Sequence, residues 1–135
     1  EAEVVLIRAK QHPVIHSPAR MRVERLSGDL FDPAIELWRG QLEPGQGSGK
    51  RAYAYEGEEV VLCEEGELTV DIGGEEHVLT AGDTLHFKAG IAHRWWNSGS
   101  RAARFLIVGN FPKGLRSKLH RQMQSERDVA RGAGK

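Results

Sequence analysis

The sequence predicts an all-β domain, closed as a barrel or packed as a sandwich. Short runs of apolar and β-branched residues recur at intervals of about 8–12 residues, the spacing of such folds. Gly, Pro, Asn, Asp and Ser punctuate the gaps between them. No long helical period intervenes before residue 113.

The elements follow in chain order. Val4-Val5-Leu6-Ile7 is apolar and β-branched and reads as a strand. From Arg8 to Arg22 the chain is basic and polar, with Pro13 and Pro18 against any helix. Met21-Arg22-Val23-Glu24-Arg25-Leu26 alternates apolar and charged residues, the period of a strand with one wet face. Ser27-Gly28-Asp29 is turn chemistry, and Ile35 to Leu42 alternates again. Strands are expected at Glu59 to Cys63, Glu67 to Ile72, His77 to Leu79, Thr84 to Phe87, Trp95-Trp96 and Arg104 to Val108. Gly73-Gly74 is a hairpin signal between two of them. Leu115, Leu119 and Met123 recur every four residues and predict a short terminal helix, with a frayed tail after Ser125. The expected organisation is an N-terminal extension over 1–34, a barrel over 35–112, and a helix and tail over 113–135.

Composition narrows the function. A chain of 135 residues holds one domain with a real core. Lysine plus arginine and aspartate plus glutamate both number 19, so no global field recruits nucleic acid or an anionic membrane. No apolar run approaches the roughly 20 residues that span a bilayer. Cys63 is the only cysteine and cannot form an internal disulfide, which fits a reducing, cytoplasmic setting. Glu1 is not a start methionine, as expected of a processed chain or an excised domain. The loop Glu43-Pro44-Gly45-Gln46-Gly47-Ser48-Gly49-Lys50 is no phosphate cradle: the spacing before Lys50 is too short, and Arg51 stands where a magnesium-binding hydroxyl belongs.

Two stretches carry a family resemblance. Gly82, Gly90, His93 and Asn97 fall at the positions of the second cupin motif, with Lys88 in place of its usual proline. Glu59 and Gly66 match the second half of the first motif, where a glutamate precedes a turn glycine by seven residues. The resemblance covers roughly residues 35 to 110. It implies a cupin double-stranded β-helix (jelly-roll) barrel, here with an N-terminal strand extension and a short C-terminal helix. Gly66 and Gly82 are expected at strand reversals, where glycine enters positive φ without strain.

In metal-binding cupins the equivalents of Glu59 and His93 join a His-x-His pair around iron, manganese, nickel or zinc. Here that pair is Tyr53 and Tyr55, and protonated phenols seldom replace imidazoles. The reading therefore favours a metal-free pocket of Tyr53, Tyr55, Glu59, Val61, Cys63, His93 and Trp95. The alternative is a metal on Glu59 and His93, completed by His86 or water. No residue is assigned a catalytic role.

Each residue also has an ordinary reading. His93 alone suits an apolar core, and Glu59 sits in an acidic cluster with Glu56, Glu58, Glu64 and Glu65. Tyr53 and Tyr55 suit cross-strand packing, Cys63 a core position, and His86 an outward face. His12, His16, His77 and His120 show no ligand spacing, and Lys113, Arg116, Lys118 and Arg121 suit one wet face of a helix.

Within the superfamily the chain is most similar to the C-terminal sensor domain of bacterial transcriptional regulators that carry an N-terminal helix-turn-helix. That resemblance implies a small polar effector, a homodimer, and no nucleic-acid contact by this domain itself. The alternative is a free-standing small enzyme, either a metal-dependent dioxygenase or hydrolase or a metal-free isomerase. Whether it is an enzyme stays open, with binding preferred.

Overall fold

A computed structural model describes residues 2–16 and 21–114. Nine strands form two antiparallel sheets. They are β1 (Val14–His16), β2 (Arg22–Arg25), β3 (Glu36–Leu42), β4 (Glu58–Glu65), β5 (Glu67–Ile72), β6 (Glu75–Thr80), β7 (Thr84–Lys88), β8 (His93–Asn97) and β9 (Ala103–Gly109). The larger sheet runs β1-β2-β3-β9-β4-β7 and the smaller β6-β5-β8. The fold is the all-β, double-sheeted barrel expected.

Alternation explains which faces meet. Glu36, Trp38, Gly40 and Leu42 turn inward from β3, and Glu59, Val61 and Cys63 from β4. With Leu68, Val70, Leu79, Phe87 and Phe105, residues Leu42, Val61 and Cys63 form the main buried core. Burying each large apolar side chain contributes about 1.5–3 kcal/mol. Gly66 and Gly82 have φ of 75° and 93°, the conformation their turns require. At Gly66 a Cβ would also strike the Ala102 carbonyl, so the turn is closed to larger residues.

The N-terminal extension differs from expectation. Val4–Ile7 is not a strand; it lies over the Gly28 turn, where Val5 and Ile7 occupy the space that a Cβ on Gly28 would need. The edge strand is instead Val14–His16, three residues within the stretch read as polar, paired through Ile15↔Val23. Strand β2 is anchored by a charge pair that alternation alone does not reveal. Arg25 donates from Nε and Nη2 to the two Glu36 carboxylate oxygens, both at 3.2 Å, with both side chains buried. The expected helix around Leu115, Leu119 and Met123, with Arg116, Lys118, His120 and Arg121, lies outside the described residues. No helix among the described residues is long and apolar enough to cross a membrane.

Candidate functional site

Residues 53–55 run extended beside the start of β8. Tyr53 exchanges backbone hydrogen bonds with His93, and Tyr55 N–H donates to the Ala89 carbonyl. Two-residue spacing puts both phenols on one side, against His93 and Glu59.

Glu59 reaches this cluster from β4 and is buried. Tyr55 Oη donates to Glu59 Oε2 at 2.5 Å, while Glu59 Oε1 has no partner. Burial pushes the Glu59 carboxyl up to about 7, against the opposing pull of that hydrogen bond. Burial raises both tyrosines as well, so the phenols stay protonated at neutral pH and act as donors.

His93 opens β8 and is fully buried among Tyr53, Tyr55 and Phe87, the Tyr53 ring centroid 4.4 Å away. Its Nδ1 lies 2.8 Å from the Ile91 carbonyl, a contact that requires the proton on Nδ1. Nε2 is then a bare acceptor and has no partner. Burial lowers the imidazole, keeping it neutral. Trp95, two residues on, donates from Nε1 to Tyr53 Oη at 2.8 Å and packs edge-on against Phe105.

Above this cluster opens a cavity of about 290 Å3. Tyr53, Tyr55, Glu59 and Trp95 line it, together with Ser48. Its remaining wall is apolar: Ile15 from β1, Met21 just before β2, Val23 from β2, Trp38 and Gly40 from β3, Phe105 and Ile107 from β9, and Phe111. His93 stands behind Tyr53 and is not on the wall.

Of the residues expected around a pocket, Tyr53, Tyr55, Glu59 and Trp95 thus surround one cavity, with His93 beside them. Val61 and Cys63 share the inward face of Glu59 but lie deeper, packed in the core. Parity gives a face and not a depth. Ser48 was hidden because its loop has no period. It is held by close approach: Gly47 bridges to Trp96, and Ser48 N–H donates to the Trp95 carbonyl at 2.8 Å. Asn97 is a structural clamp, donating from Nδ2 to the Leu42 and Arg101 carbonyls and accepting from Gly99 N–H.

The residues present do not fit a metal. Glu59 and His93 supply two donors, with Nε2 and Oε2 3.9 Å apart. Tyr55 is hydrogen-bonded to Glu59 and Tyr53 to Trp95, both as protonated phenols. His86 cannot complete the set, because it faces outward and contacts Glu58 at 2.8 Å. Among the described residues no three His, Cys, Asp or Glu side chains converge. Two donors and two phenols make a polar floor, not a coordination shell.

Two antiparallel sheets thus form a barrel that encloses a largely apolar cavity beside the Glu59 carboxyl. The family model described as "Cupin domain" matches residues 38–109, and the chain belongs to that family. A sugar phosphate isomerase of the cupin superfamily from Silicibacter pomeroyi is similar at 32% identity and a TM-score of 0.59, over 68% of this chain and 60% of that one. The chain therefore spans less than two thirds of that enzyme. The Cupin_2 domain of an XRE family transcriptional regulator from Enterobacter cloacae is 26% identical with a TM-score of 0.60, over 69% of this chain and 98% of that domain. An RmlC-like cupin from Shewanella frigidimarina, 17% identical, shares the fold with a TM-score of 0.67 over 82% of this chain and 94% of its own. No curated protein matches the chain.

Proposed function

We propose that this chain is a ligand-sensing cupin domain of a bacterial transcriptional regulator. It binds one small molecule, without metal, in the cavity above Glu59. The observation that carries this reading is a largely apolar cavity with its polar groups gathered at one end, the anatomy of a binding site. The similarity to a regulator's cupin domain over nearly that domain's whole length supports the sensing role. An amphipathic ligand suits this wall better than the small polar effector first expected, because a purely polar molecule would leave most of the wall unmatched. Exposed Val4, Leu6, Phe31 and Ile35 supply apolar surface for a homodimer, through which occupancy could be passed on.

The test is a thermal-shift screen of small amphipathic molecules on the wild type and on Ile107→Trp, which fills the cavity. Stabilisation of the wild type, lost in the variant, supports the reading. Equal stabilisation of both places the ligand elsewhere and sinks it.

A second reading, a metal-free acid–base enzyme, is favoured by one observation: a carboxyl held near neutrality beside a neutral imidazole. A phosphorylated sugar fits this cavity poorly, because its described lining holds no lysine, arginine or histidine.

A further inference from the structure

The described lining contains six aromatic side chains, Trp38, Tyr53, Tyr55, Trp95, Phe105 and Phe111, and one carboxyl, that of Glu59. Such a wall is selective by charge. The faces of aromatic rings carry negative potential and attract cations, most strongly where water is excluded. A buried carboxylate favours a positive partner in the same place. Anions meet both as repulsion. Hydrogen bonding sharpens the choice, since Glu59 lines the cavity and its Oε1 lacks a partner. That oxygen accepts in the state that a cation favours, with Glu59 ionised. A ligand head with N–H donors satisfies it, as a quaternary ammonium could not.

We infer that the cavity above Glu59 takes a small organic cation, a protonated primary amine on an apolar body. The ammonium sits against Glu59, and the body lies between Trp95, Phe105 and the wall of Ile15, Met21 and Val23. This inference rests on the proposed binding role of the cavity and names the ligand class for it.

The experiment is isothermal titration with three probes of one shape: 2-phenylethylamine, 2-phenylethanol and phenylacetate. The wild-type protein is expected to bind the amine at least tenfold more tightly than the alcohol and to bind the acid least. In Glu59→Gln, which keeps the shape and removes the charge, the preference of amine over alcohol should shrink at least fivefold. Nuclear Overhauser contacts from the amine methylenes to the Trp95 ring, sought in the wild type, locate the ligand without a variant. An alcohol or acid that binds as tightly as the amine overturns the cation assignment and leaves cavity binding standing. So does an amine preference unchanged in Glu59→Gln. Absence of binding by all three probes overturns the assignment too, and the screen above then decides whether the binding role falls with it.

Discussion

His93 Nε2 and Glu59 Oε2 stand 3.9 Å apart at the floor of the barrel, inside ion-pair distance but beyond a hydrogen bond. Chemically it is no ion pair at neutral pH, because the imidazole is neutral and the carboxyl only partly ionised. Burial lowers the imidazole and raises the carboxyl, so both groups drift toward their neutral forms. A floor of this kind costs stability until something occupies it.

That cost depends on pH. Unfolded, Glu59 releases its proton near 4.5, and folded it does so only near 7. The folded state binds the proton more tightly, so this group's contribution to stability falls as pH climbs between those values and stays low above them. Glu59→Gln is expected to exceed the wild type by on the order of 3 kcal/mol at pH 8, and by little below pH 4.5. Urea denaturation across that range checks it. His93 works in the opposite sense, losing stability as pH falls below its ordinary 6.5, and is common to both proteins.

The Tyr55 hydroxyl is the contact that restrains this shift, since its hydrogen bond favours the ionised carboxylate. Tyr55→Phe should raise the Glu59 titration midpoint further, read by carbon NMR of the side-chain carboxyl. It should also cost about 1–2 kcal/mol at pH 8 and less in acid. A midpoint that moves down contradicts the assignment.

Arg25 and Glu36 form the buried pair that fastens β2 to the barrel. Arg25→Met alone leaves Glu36 as a buried, uncompensated charge and is expected to cost about 3–5 kcal/mol. Arg25→Met with Glu36→Leu should recover most of that loss. A double-mutant cycle in denaturant measures the coupling.

Metal content follows from the donor set. Inductively coupled plasma mass spectrometry after incubation with iron, manganese, nickel and zinc is expected to find far less than one ion per chain. Near-stoichiometric metal that disappears in His93→Ala would make a metal enzyme the leading reading.

Phe31 is 60% exposed and Ile35 59%, close in sequence and unlike an ordinary wet surface. Sedimentation equilibrium should give a dimer for the wild type and a shift toward monomer for Phe31→Glu. An unchanged dimer places the interface elsewhere.

Much of this was legible beforehand, for local reasons. Motif spacing located Glu59, His93, Tyr53 and Tyr55, and two-residue parity placed Trp95 beside His93. Parity failed where depth decided: Val61 and Cys63 face as predicted but are packed below the cavity. It failed again where long-range partners decide. Arg25 looks like a wet-face residue until Glu36, eleven positions away, is seen to pair with it. Ile15, Met21, Trp38, Ile107 and Phe111 carry no chemical signature, and only the folded barrel brings them together.

The segment that marks the family begins at Trp38, yet Ile15, Met21 and Val23 complete the cavity from outside it. On the proposed reading, selectivity has two separable sources. The matched segment carries the carboxyl at Glu59, while the chain before it carries part of the cavity's shape. Exchanging those three side chains would re-cut the wall without disturbing any strand of the matched segment. Relatives aligned over the barrel alone can therefore agree at every motif residue and still select different molecules.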